Sequence, residues 1–463
     1  MSMNGKNADR NHADTFPKSD AGTARLSVVV PIALVSFFYV AMLEYALPLY
    51  FEARTELALG GTPFPRDVWS EVIKYKMTAF AIGPILAGLL ARRYGERMVW
   101  SAGLALKFPI PAVLAIHPSP NLVAVLAFWQ GITATLIWIA GLSLIQMVVP
   151  SKKGFSNGLL MTSMGVGSAF GPLLGRVLLY RSELISLAQS NEWSEVWLRL
   201  LALKSLASSP QLVDFELMFW LLSAITLTAG VVLVIWGQRP GRFQREEPQS
   251  WLETLADLRF LSCNHKFWAL VVALSFLGGP IFQASNQFLP YRAKEVGLIQ
   301  EGGADTGWVW LNLLKNMAWI PGGVAVGLLA GRRAGGMVPA AIVGAFGISA
   351  FLIGQSAVGW QLFVGVAAFE FVRQCMRWSH GGYMSEHMPS NVRSTAIGYT
   401  ITLGGLAATA YVWIAPRIWD PNSPDFNSSG AFLCVSILGL VGCVGLFLYD
   451  RVFPIRDVSV PKQ

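Results

Sequence analysis

The sequence predicts an all-α integral membrane protein with twelve transmembrane helices in two six-helix repeats. Three observations carry this reading. First, 54% of the 463 residues are hydrophobic and 13% are charged, with a mean hydropathy of +0.49. Soluble domains carry about 25% charged residues. Second, mostly apolar stretches of about 20 residues, the length that crosses a bilayer, recur along the chain. Third, one phrase occurs twice. It reads GLLARRYG at Gly88–Gly95 and GLLAGRRAG at Gly327–Gly335, and its copies start 239 residues apart.

The elements follow in order. Residues 1–25 are polar, lack an apolar core and read as a disordered cytoplasmic tail, not a cleaved signal. Spans are expected near 27–50, 68–91, 98–117, 121–148, 155–180 and 214–236, making an N-terminal bundle over 26–237. The long connection at 181–214 has room for a short surface helix. A polar cytoplasmic linker covers 238–265, with an amphipathic piece near Trp251–Phe260. Spans near 267–291, 307–330, 337–355, 358–385, 394–416 and 430–450 make a C-terminal bundle over 266–452. A second cytoplasmic tail covers 453–463.

Most of the 35 Lys and Arg residues fall in segments that this order puts on one side. The positive-inside bias therefore places both termini in the cytoplasm of a multi-pass cell-membrane protein. The net charge of +8 is spread between the spans, not gathered in one patch. That argues against a nucleic-acid partner and for the lipid bilayer, and a monomer is expected. The four cysteines form no CxxC pair. No P-loop, HExxH, GxSxG or zinc spacing occurs, so no metal, cofactor or catalytic residue is expected and the chain does not read as an enzyme.

The repeat has further echoes. PSKKGFSNG begins at Pro150 and PSNVRSTAIG at Pro389, again 239 residues apart. ALPLY ends span one and FLPY ends span seven. Six spans are thus repeated once in parallel, an architecture that puts a substrate site near mid-membrane between the halves. On these motifs, over roughly residues 26–452, the chain resembles the major facilitator superfamily. The family loop after span two is close to G-x-L-A-D-R-x-G-x-R. Here it reads Gly88, Leu90, Ala91, Arg92, Arg93, Gly95 and Arg97, and the second copy supplies Gly327, Arg332 and Arg333. Arg92 stands where the family prefers an acid. In span five, Gly158, Gly167, Gly171, Pro172 and Gly175 resemble the antiporter motif of drug/proton exchangers. The same spacing is also that of a glycine face packed on a partner helix. Span four keeps Gln130 and Gly131 of the R-x-x-Q-G motif seen in proton-coupled members, with Ala127 in place of its arginine.

An ionisable group within a span costs about 2.5–3.5 kcal/mol on insertion scales, so each needs a reason. Lys76 and Lys315 each stand twelve residues before a repeated glycine, Gly88 and Gly327. They are repeat equivalents and fall near mid-membrane. Either they face a shared cavity and hold an anion, or they snorkel to the interface. Lys107 lies deep in span three, beside Pro109 and Pro111, with Glu44 or Glu370 as the expected counter-charge. Glu370 and Arg373 share a face of span ten and can pair. Glu44, Glu370 and Arg373 are the proton-coupling candidates. Asn286, Gln283 and Asn312 are expected to join Lys76, Lys315 and Lys107 around the substrate. The resemblance implies a secondary transporter working by alternating access. The residues favour a proton-coupled carrier of a small organic anion. The alternatives are a drug/proton antiporter for amphipathic compounds and a non-transporting membrane sensor or scaffold.

Overall fold

A computed structural model describes residues 31, 34–36, 38, 68–116, 119–148, 153–179, 181–200, 212–237, 250–263, 267–268, 271, 278–298, 306–330, 337–378, 392–420 and 426–452. Among the described residues the chain is helical throughout, with no strand. Six stretches of the described residues are long and apolar enough to cross a membrane, including 120–144, 216–235 and 428–449.

The N-terminal half begins with α1 (Val68–Tyr94), the expected span two. Tyr94 ends it, and Gly95 turns the chain at φ 84, a conformation that favours glycine. Span three is divided into α2 (Glu96–Lys107) and α3 (Pro109–Ala115). The prolines cause this, because neither Pro109 nor Pro111 has an N–H for the carbonyl four residues back. Side chains of neighbouring helices meet carbonyls at the break. Trp129 Nε1 donates to Leu106 O at 2.7 Å, and Ser223 Oγ donates to Phe108 O at 2.7 Å. Next come α4 (Pro120–Val148) and α5 (Lys153–Leu179), the latter continuous through Pro172. The long connection holds two short helices, α6 (Arg181–Gln189) and α7 (Trp193–Leu200), where one was expected. Then comes α8 (Leu212–Gly237).

The amphipathic linker piece is α9 (Trp251–Cys263). Its start is a reciprocal capping box. Ser250 N–H donates to Glu253 Oε2 at 2.8 Å, and Glu253 N–H donates to Ser250 Oγ at 3.2 Å. The C-terminal half contains α10 (Gly278–Glu295), α11 (Thr306–Met317), α12 (Trp319–Ala330), α13 (Met337–Gln355), α14 (Gly359–Trp378), α15 (Arg393–Ile418) and α16 (Ser428–Val452). Span eight is therefore two helices joined at Ala318, with Pro321 just beyond the join. Span seven is described from Gly278 onward as a helix.

The halves meet along two seams, α1 against α15 and α5 against α12. Both are lined by glycines that lie so close to the facing backbone that a side chain would not fit. A Cβ on Gly405 would lie 2.6 Å from Phe80 O, and one on Gly88 would lie 2.7 Å from Ser394 O. Across the other seam, a Cβ on Gly158 would lie 2.6 Å from the Gly327 Cα, and one on Gly165 would lie 2.9 Å from Ile320 N. Gly398 and Gly323 press equally on Pro84 and Thr162. The repeat is legible in these contacts. Phe80, Pro84 and Gly88 on α1 correspond to Trp319, Gly323 and Gly327 on α12, each 239 residues on. Within α1, Pro84 leaves the helix ladder short of one donor, and Ile85 N–H donates across the seam to Thr402 Oγ1 at 2.9 Å.

Candidate functional site

A cluster of buried charge lies in the C-terminal half, between α11–α12 and α14. Lys315 falls in the last turn of α11, Trp319 opens α12, and Glu370 and Arg373 are one turn apart on α14. The break at Ala318 sets Lys315 and Trp319 against the same stretch of α14. Glu370 is fully buried and Arg373 is 5% exposed. Arg373 Nη1 donates to both Glu370 oxygens, at 2.8 and 3.1 Å. Trp319 Nε1 donates to Glu370 Oε2 at 2.8 Å. Lys315 Nζ stands 3.8 Å from Glu370 Oε1. The Arg373 guanidinium also lies 5.0 Å from the Trp319 ring centre, within cation–π range. The carboxylate is thus a hub, with the indole and the guanidinium holding its orientation and the ammonium at the edge. Two cations share one carboxylate, and these three groups sum to +1.

The repeat-equivalent station in the N-terminal half is different. Counting back 239 residues, Glu370 becomes Gly131 and Arg373 becomes Ala134. A Cβ on Gly131 would lie 2.5 Å from Ala79 Cβ and 3.2 Å from Lys76 O. There α1 packs tightly on α4 where the other half has a carboxylate. Lys76 is half-buried on α1, and Lys315 is half-buried on α11. The two lysines hold equivalent places in the repeat but have unequal surroundings.

The other predicted residues distribute as follows. Lys107 is fully buried in the last turn of α2, at the Phe108 break, where a helix C-terminus favours a cation. Of its two expected counter-charges, Glu370 belongs to the cluster above and Glu44 lies outside the described residues. Gln283 on α10 is buried, and its Nε2 donates to Met77 Sδ at 3.1 Å, a polar contact from one half to the other. Asn312 is half-buried on α11, three residues before Lys315. Asn286 lies on α10, but its side chain is outside the described set. Gly158 belongs to the α5–α12 seam, and Gly167 meets the Phe38 carbonyl of span one. Gly171, Pro172 and Gly175 lie in the last third of α5. At the loop after α1, Arg93 stacks on Tyr94 at 5.7 Å, and Gly95 makes the turn. Arg97 is half-buried one residue into α2, after Glu96, whose Oε1 accepts from Ser143 Oγ at 3.1 Å. Arg332 and Arg333 lie outside the described residues.

Two further groups gained meaning only from the structure. The linker helix α9 lies against both α1 and α15. Its Glu253 carboxyl is held below its ordinary value, first by the bonds to Ser250 and then by Arg92 and Arg93. At the far end of α9, the Ser262 and Tyr399 hydroxyls are 3.4 Å apart. An acid from the linker thus stands near the loop whose own acid is replaced by Arg92. The second group is Gln374, one turn past Glu370 on α14 and fully buried. Laying span four on span ten at an offset of 239 would have flagged it in the sequence, opposite Thr135.

Comparison with known proteins places this architecture. The sequence profile described as "Major Facilitator Superfamily" matches residues 72–411. The "MFS-type transporter ppzB" of Metarhizium majus (strain ARSEF 297) is 34% identical over 96 residues, 20% of this chain and 21% of that protein. The matched region thus spans about a fifth of that relative. The fold is similar to that of the human organic anion transporter MFSD10 (TETRAN), with a TM-score of 0.65 and 15% identity, covering 92% of this chain and 100% of that one. It is also similar to that of the E. coli fucose:proton symporter FucP, with a TM-score of 0.62 and 14% identity, covering 91% and 98%.

Proposed function

The chain belongs to the major facilitator superfamily, and on that premise we propose that it moves a small organic anion across the membrane by alternating access, coupled to protons. One observation carries the proposal: Lys315 and Arg373 converge on the buried Glu370 carboxylate, an ammonium and a guanidinium on one acid. A guanidinium and an ammonium that converge on one carboxylate can exchange it for a substrate carboxylate. Lys76, Lys107, Gln283, Asn312 and Asn286 line the rest of the path. The fold neighbour MFSD10 is itself an organic anion transporter, so the scaffold admits such cargo.

Glu370 couples the proton. Ionised, it occupies Arg373 and Lys315. Protonated, it releases them to an incoming anion. Proton and anion therefore favour each other, as in a symporter. Glu44 is the second candidate for this role. The two glycine seams are the surfaces about which the halves rock, and α9 ties their inner ends.

The test is the thermal stability of purified protein against small carboxylates, phosphates and lipophilic cations, alongside uptake into proteoliposomes with and without a pH gradient. An anion should stabilise wild type and fail to stabilise Lys315→Ala, with a smaller loss in Lys76→Ala. Stabilisation by lipophilic cations alone, untouched by either substitution, would overturn the anion reading in favour of drug export.

A further inference from the structure

Gln374 is 0% exposed, yet neither its Oε1 nor its Nε2 has a hydrogen-bond partner among the described residues. A buried amide left this way is costly, and such groups are normally met by water or ligand. The surroundings are arranged around it. Gly322 on α12 faces its stem, and a Cβ there would lie 2.7 Å from Gln374 Cβ. The side chain therefore has room only because that position is glycine. Glu370 and Gln374 are four apart on α14, so the amide follows the carboxylate on the same helix face.

The other half shows what a purely structural residue does at this station. Counting back 239 residues, Gln374 becomes Thr135 and Gly322 becomes Gly83. The contact is repeated there, with Gly83 against the Thr135 side chain. But Thr135 Oγ1 donates to Ile132 O at 2.7 Å and satisfies itself. Where one half keeps a short, self-satisfied hydroxyl beside Gly131, the other keeps a longer, unsatisfied amide beside Glu370.

We propose that Gln374 selects the substrate: its amide takes the hydroxyl of a hydroxycarboxylate whose carboxylate rests on Arg373 and Lys315. This rests on the anion reading above. The amide offers an acceptor for the substrate O–H and a donor for its oxygen, which a water could also use. A site built to bond a substrate hydroxyl discriminates against the analogue that lacks it, because the protein group is then left unpaired.

The experiment measures the affinity of the full-length protein for matched pairs: lactate and propionate, malate and succinate, mandelate and phenylacetate. Wild type should bind the hydroxy member at least about tenfold tighter in one pair. Gln374→Thr copies the self-satisfied residue of the other half, so it should fold, keep the affinity for the plain acid and lose the preference. Gly322→Ala presses on the same side chain and should weaken the preference in the same direction. Equal affinity within every pair in wild type would overturn the proposal and assign the amide to a water. A preference that survives Gln374→Thr would overturn it too. If no carboxylate of any pair binds, the anion reading itself fails, and this inference fails with it.

Discussion

Replacing Glu370 with Gln would remove the one carboxylate of the cluster among the described residues and little of its volume. Arg373 Nη1 at 2.8 and 3.1 Å, Trp319 Nε1 at 2.8 Å and Lys315 Nζ at 3.8 Å all point to it, at a place with no solvent exposure. The substitution leaves the buried Arg373 guanidinium and the half-buried Lys315 ammonium without that carboxylate. Removing one partner of a buried ion pair costs about 3–5 kcal/mol. The amide oxygen can still accept from Trp319, which favours the lower end. In a unit of about 150–250 residues each kcal/mol moves the melting point by about 2–4 °C, so Glu370→Gln should melt about 6–20 °C lower. A small carboxylate should then restore part of the loss. At a hundred times its Kd it returns about 2.7 kcal/mol. The assay is thermal unfolding in detergent, with and without formate or acetate, for wild type, Glu370→Gln and Glu370→Gln/Lys315→Met. An unchanged melting point in Glu370→Gln would refute the reasoning, as would a loss that no carboxylate repairs.

Other outcomes follow from the same geometry. Gly405→Ala puts a methyl 2.6 Å from Phe80 O, and overpacking of this kind costs about 1–3 kcal/mol. It should pry the α1–α15 seam apart and slow uptake with little change in substrate affinity, read by transport rates beside binding isotherms. Glu295 accepts from Ser428 N at 3.0 Å and from its hydroxyl at 2.7 Å, capping α16. Glu295→Ala should cost about 1.5–3 kcal/mol, seen as lower thermal stability and faster exchange of the first amides of α16. Glu253 has a depressed folded-state pKa, so its support for α9 is full above the ordinary carboxylate range. It fades as the pH falls through the lowered value. The protection of the amides over Trp251–Cys263, corrected for their intrinsic exchange rate at each pH, should therefore fall on acidification, and Ser250→Ala should show that lower protection already at neutral pH.

Much of this molecule is written in its order of residues, because bilayer spans and repeats are long-range patterns. The equivalence of Gly88 with Gly327 needs only the sequence, and the seams bear it out contact by contact. Breaks at prolines could be foreseen, as at Pro109. The pairing of Glu370 with Arg373 follows from their spacing on one helix. Other features needed coordinates. Trp319 was one polar-edged aromatic among several, and only the fold points its indole at Glu370. Glu253 belongs to a linker far from Arg92 in sequence, so its place beside the loop depends on how α9 docks. At an offset of 239 Gln374 stands out as the longer counterpart of Thr135, but its burial with no hydrogen-bond partner among the described residues needed coordinates. Glu44, Arg332 and Arg333 lie outside the described residues and stay expectations.

The buried charge of the C-terminal half has an electrical consequence. Lys315, Arg373 and Glu370 together sum to +1, and a net charge so placed would act as a gating charge. When the halves rock, the barrier to the membrane field moves from one side of it to the other. A full elementary charge crossing 100 mV exchanges about 2.3 kcal/mol, so even a fraction of that crossing biases the empty carrier measurably toward one orientation. In the symport cycle proposed above, a proton on Glu370 and a bound monoanion would add opposite charges, so the loaded site would carry the same +1 as the empty one. The membrane potential would then act alike on both reorientations, and its signature would be transient currents both with and without substrate.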